Sequence, residues 1–152
     1  ATEAPEGLQD PLAGSWKYTK INFSGPIWSF AGPWGDAQFP ALSRILSKVQ
    51  KAGIVRIQSA GVSTVYPGAL IRPHCGPTNK CWDIHVGLSV PEPTASHLIV
   101  AGVPRPWVEG RALLFDDSFE HQVSHVGKWP RTILDVVIMH PTVKRCADES
   151  TS

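Results

Sequence analysis

From residue 54 to residue 140 the chain is cut into short apolar runs by glycine and proline, and this punctuation narrows the possible folds more than any other feature. IVRIQSAGVSTVY, ALIRPH, WDIHVGLSV, HLIVAG, RALLF, EHQVSHV and RTILDVVIMH all have the composition of strands. The 13 glycines and 14 prolines are scattered rather than clustered, so each run ends at a turn before it reaches helical length. Seven or eight short strands predict an all-β jelly roll, two facing sheets with a ligand-sized mouth between them.

Before this region, WKYTKINF (16–23) also has strand composition, and GPIWSFAGPWG (25–35) reads as a loop carrying Trp28, Phe30 and Trp34. Between them and the strands, Phe39, Leu42, Ile45, Leu46 and Val49 recur at helical spacing, and Gly53 is placed to end that helix. One flanking helix should therefore lie against the outside of a sheet. At 152 residues the expectation is one domain over 1–152, with 1–14 and 144–152 as flexible ends.

A formal charge of +1 without a basic run speaks against nucleic acid as a partner. No apolar run is long enough to span a membrane, and the start lacks the layout of a secretion signal, so the expected setting is cytoplasmic. Cys75, Cys81 and Cys146 form no CxxC pair and are expected as free thiols.

Two of the six histidines stand out. His74 follows Pro73 at the end of a strand and precedes the turn GPTN; His121 follows the acidic turn FDDSFE and opens another strand. Imidazoles from separate strands can chelate one ion, and iron oxygenases on such folds often add a carboxylate two residues after the first histidine. Here that position is Gly76.

PHCGPTN, IHVGL, WVEGRALLFDDSFEHQV and the R-x₃-D-x₄-HP ending, in that order, resemble the aspartyl/asparaginyl β-hydroxylase family of iron(II)/2-oxoglutarate oxygenases, from about Gly61 to Val143. The resemblance implies a double-stranded β-helix, cupin-like, with His74 and His121 as metal ligands and catalytic centre. It likewise implies a glycine at position 76, O2 as co-reactant, and Ser63 and Arg131 holding the distal carboxylate of 2-oxoglutarate. Arginine suits that task because its fork grips a carboxylate through two parallel hydrogen bonds. His85 matches a histidine that steadies the cosubstrate. Asp116 and Asp117 match residues that shape the turn before the second histidine, while Asp135 and His140 read as structural. His97 and His125 have no counterpart and are expected to be solvated.

The chain departs from the family where N-x-R-L-R-x-H is usual and NKCWDIH stands, with Cys81 and Asp83 in place of two arginines. Alternation puts 81, 83 and 85 on one face, so the substrate pocket loses two positive charges and gains a negative one. An acidic substrate is then disfavoured. With Trp28, Phe30, Trp34 and Trp129 as candidate pocket walls, a neutral small molecule of specialised metabolism is expected. Asp83 would instead hydrogen-bond a hydroxyl or amine on the substrate, or approach the metal as a substitute ligand. Two alternatives stand beside this: a metal-dependent enzyme that does not use 2-oxoglutarate, such as an isomerase or cyclase, and a non-catalytic binding module.

Overall fold

A computed structural model describes residues 14–21, 23 and 38–143, and shows two antiparallel sheets facing one another. Its strands are β1 (Trp16–Lys20), β2 (Ile57–Val65), β3 (Leu70–His74), β4 (Cys81–Ser89), β5 (Ser96–Val100), β6 (Val103–Pro106), β7 (Ala112–Phe115), β8 (His121–His125) and β9 (Arg131–Met139). One sheet runs β1-β2-β9-β4-β7 and the other β3-β8-β5-β6, which makes the jelly roll. Trp28, Phe30 and Trp34 lie outside the described residues.

Among the described residues nine strands form rather than seven or eight. The extra one is β6, whose two prolines masked its strand character, while the expected strand at the start is β1, which pairs along β2 from Trp16 opposite Val65 to Lys20 opposite Gly61. Pro73, Pro104 and Pro106 all fall on β3 and β6, the two outer strands of the four-stranded sheet. A proline has no N–H to give a ladder, so an edge strand is the place that tolerates it.

Helix α1 (Pro40–Ala52) starts on a proline and ends at Gly53, whose φ of 70° is left-handed and whose N–H bonds the Gln50 carbonyl. Its inward stripe is narrower than the periodicity predicts: Leu46 is buried with Phe39 and Leu42 against it, whereas Ile45 and Val49 face solvent. This stripe packs with Ile57, Ala60, Val136 and Ile138 on the outer face of the five-stranded sheet. Between the sheets a second core forms from Val65, Leu98, Trp107, Val123 and Ile133. The central strand β9 is therefore covered on both faces, and the mouth above the second core holds the polar side chains. Among the described residues, no helix is long and apolar enough to cross a membrane.

Candidate active site

Edge strand β3 and its neighbour β8 are in register such that His74 lies directly opposite His121. The imidazole centroids are 4.2 Å apart with the rings tilted by 56°. Each ring is held in the same way: the Nδ1 of His74 bonds the Arg72 carbonyl at 2.8 Å, and that of His121 bonds the Phe119 carbonyl at 2.9 Å. A carbonyl can only accept, so both Nδ1 atoms donate, and Nε2 is the ring atom left to meet a metal ion. Two imidazoles so oriented fit a divalent transition metal, which takes neutral imidazole nitrogen.

The turns that carry the two histidines are tied together. Gly76 N–H donates to the Asp117 carbonyl at 2.6 Å, and Asp116 Oδ1 accepts from both the backbone N–H and the hydroxyl of Ser118. Those two bonds hold the Asp116 carboxyl below its usual range. A Cβ placed on Gly76 would overlap the Asp117 carboxylate. The glycine is thus a close approach between the turns, and the volume a side chain there would need is already filled by Asp117. Burial pushes the Asp117 carboxyl up, with His121 working against it.

His74 and His121 open into a cavity of about 130 Å³ whose floor is Leu98, Val123 and Ile133. Ser63, His85 and Arg131 line the same cavity, from β2, β4 and β9. Arg131 is 1 % exposed, its Cζ lies 3.9 Å from the centre of the Trp107 ring, and its Nε and Nη1 have no hydrogen-bond partner. A buried guanidinium without acceptors is costly, and burial brings it down to about 10 although Asp135 opposes the shift. Trp16 Nε1 donates to the Ser63 hydroxyl oxygen at 2.9 Å, which leaves the Ser63 proton for another acceptor. His85 is buried, sits 5.0 Å from the Phe115 ring and has an unpartnered Nδ1. Burial first, then Arg131 and His121, lower it to about 3, so it stays neutral.

Asp83 faces this cavity, and so does Asp135, which the sequence reading took as structural. Asp135 pairs with His85 across β4 and β9, so both side chains leave the sheet on the same face. Burial, reinforced by Asp135 and Asp117, pushes Asp83 up to about 7; burial, opposed by Arg131, pushes Asp135 up to about 6. Among the described residues, Asp83, His85 and Asp135 are the cluster of possible ligand atoms lying within 4.8 Å of one another. Asp83 therefore groups with His85 and Asp135. Strand alternation held the signal for Asp135: it is four residues from Arg131, and equal parity puts both on one face.

Other expectations are corrected. Cys81 does not line the cavity, because its thiol turns toward the Met139 sulfur at 3.9 Å; burial raises its pKa. Trp129 is largely exposed and does not line the cavity. His125 is buried, not solvated, with Nε2 bonded to the Trp129 carbonyl at 2.8 Å. His140 stacks edge-on against Trp82, away from the cavity. Cys75 and Cys81 are free thiols.

Comparison with known proteins sets this geometry in context. Residues 4–141 match the family model described as aspartyl/asparaginyl beta-hydroxylase. An 88-residue stretch is 43% identical to the mouse aspartate beta-hydroxylase domain-containing protein 1, over 56% of this chain and 24% of that protein. The mouse aspartyl/asparaginyl beta-hydroxylase is 35% identical over 102 residues, 67% of this chain and 14% of its own length. The chain thus matches only a minor part of the length of these relatives. Among solved structures, the cupin domain of an XRE family transcriptional regulator from Enterobacter cloacae is similar with a TM-score of 0.46 and 14% identity, over 58% of this chain and 96% of that one.

Proposed function

Since the chain belongs to the aspartyl/asparaginyl β-hydroxylase family, we propose that its cavity is the site of a non-haem iron(II) oxygenase that consumes 2-oxoglutarate and O2 to oxidise a small molecule rather than an Asp or Asn residue. The observation that carries this reading is the His74–His121 pair, two imidazoles in direct register, each held through Nδ1 by a backbone carbonyl and both lining one cavity. When bound, iron(II) supplies the coupling of dioxygen reduction to oxidative decarboxylation of 2-oxoglutarate, with succinate and carbon dioxide as products.

The chain's own residues then divide the remaining work. His74 on edge strand β3 and His121 on its neighbour β8 would hold the ion. Arg131 offers the unpartnered Nε and Nη1 to the distal carboxylate of the cosubstrate, and Ser63 donates its free hydroxyl proton to the same group. Trp107 keeps the guanidinium in place by stacking beneath it. Leu98, Val123 and Ile133 keep water from the floor, which strengthens each polar contact above. Gly76 leaves the metal without the third protein ligand that a facial triad would give it.

Calorimetric titration of 2-oxoglutarate into anaerobic, iron(II)-loaded protein tests this. Binding is expected in the parent and lost in Arg131→Ala and His121→Ala, with succinate released once O2 and a substrate are added. A second reading draws on Asp83 and Asp135, which repel a dianionic cosubstrate: the metal alone would act as a Lewis acid in a redox-neutral rearrangement. Absence of 2-oxoglutarate binding to the iron-loaded parent would put that reading first.

A further inference from the structure

We propose that Asp83, Asp135 and the ring nitrogen of His85 receive a primary ammonium group, so that the substrate of this site is an amine. The inference rests on the oxygenase reading above and adds to it the class of molecule oxidised; it departs from the neutral substrate expected from the sequence.

The three groups offer two carboxylate oxygens and an imidazole nitrogen within 4.8 Å of one another. A primary ammonium has three N–H donors. Three bonds of about 2.9 Å at tetrahedral angles put their acceptors about 4.7 Å apart, so that spacing accommodates one such group. All three residues have a buried acceptor-capable atom without a partner: Asp83 Oδ1, His85 Nδ1 and Asp135 Oδ1. His85 is only 8% exposed and lines the same cavity as both carboxylates, so the cluster lies against enclosed space rather than solvent. Buried polar atoms are nearly always paired, and a set of three left open in one place marks a ligand's position.

Charge balance points the same way. Among the described residues, Arg131 is the one Lys or Arg side chain lining the cavity. On the reading above it is occupied by the cosubstrate, which leaves Asp83 and Asp135 facing the substrate without a cation of their own. Asp135 lies in the middle of a central strand between apolar neighbours, where a carboxylate serves no packing purpose. One aromatic ring lines the cavity and a second lies beside it. The Tyr18 ring lies across the Cα of Gly61, the residue opposite Asp135, close enough that a Cβ there would overlap the ring. Trp16, which lines the cavity, stands edge-on to Tyr18 at 6.3 Å. Carboxylates with an aromatic ring on the same cavity favour an organic ammonium, whereas a bare metal ion prefers an all-polar shell.

The test uses manganese(II)-loaded protein in the absence of oxygen, with and without 2-oxoglutarate, at mildly alkaline pH. Benzylamine, benzyl alcohol and benzoate, alike in size and different in charge, are titrated in by calorimetry. Benzylamine is expected to bind about tenfold to 100-fold more tightly than benzyl alcohol, the ratio that charge-assisted hydrogen bonds confer, with benzoate weakest. Asp83→Asn and Asp135→Asn should each remove most of that preference, bringing benzylamine binding down toward that of benzyl alcohol. The parent series decides the matter even if a variant fails to fold: benzylamine binding no tighter than the alcohol overturns the inference. A second equivalent of manganese that disappears in Asp135→Asn also overturns it, because the cluster would then be a metal site. The 2-oxoglutarate titration is read separately, so amine preference without 2-oxoglutarate binding would refute the cosubstrate assignment and leave the ammonium site standing.

Discussion

Replacing Arg131 with methionine should make the ligand-free protein more stable while abolishing 2-oxoglutarate binding. The guanidinium is 1% exposed, lacks partners at Nε and Nη1, and is brought down from 12.5 to about 10 by burial. A shift of that size means that the charged form costs the fold roughly 3 kcal/mol. Methionine removes this cost, has a similar length, and loses the cation–π contact over Trp107, which is worth about 2 kcal/mol when desolvated. Its sulfur regains part of that loss against the same ring, by about 1 kcal/mol. The net gain is about 1–2 kcal/mol, which for a chain of this size raises Tm by roughly 2–8 °C. Differential scanning calorimetry of both proteins without metal or cosubstrate measures it, and titration of 2-oxoglutarate into the iron-loaded forms gives the second half. A variant that melts below the parent would mean that the guanidinium has a structural task. A variant that still binds 2-oxoglutarate would refute its role as the anchor.

Further outcomes follow from the same geometry. His74→Ala and His121→Ala should each lower iron(II) affinity about 100-fold or more, since groups that merely orient a ligand are already worth ~10–100-fold; by denaturant titration only His121→Ala should also destabilise the fold, because His121 is buried and His74 is exposed. Gly76→Asp should not create a facial triad: its Cβ meets the Asp117 carboxylate, at a cost of about 1–3 kcal/mol, and the double variant with Asp117→Gly should recover most of it, whereas full stability of the single variant would show that the turn has room. The Asp83 carboxyl is raised from 3.8 to about 7, so the folded protein holds this proton more tightly than the unfolded chain. Its contribution is fully present below pH 3.8 and is lost as pH rises through about 7. The stability difference between the ligand-free parent and Asp83→Asn should therefore shift against the parent across that interval. Taking the difference largely removes the opposing effect of His85, and a flat difference curve would contradict the burial of Asp83.

Local sequence determined more here than is usual for a β protein. Short runs broken by glycine and proline define strands because each run is too short for a helix and too apolar for a loop, and the Phe39–Val49 periodicity with Gly53 beyond it located α1. His74 and His121 were legible because the residues around them form tight turns whose chemistry is local. What sequence could not reveal is which strands become neighbours, because pairing depends on contacts between residues far apart in the chain. The register that sets His74 opposite His121, the passage of Trp107 beneath Arg131, and the Tyr18 ring across Gly61 are all of this kind. Asp135 lies between the two cases. Strand parity alone gives its face, but only the joining of β4 to β9 beneath the four-stranded sheet turns that face into the wall of a cavity and sets a second carboxylate beside Asp83.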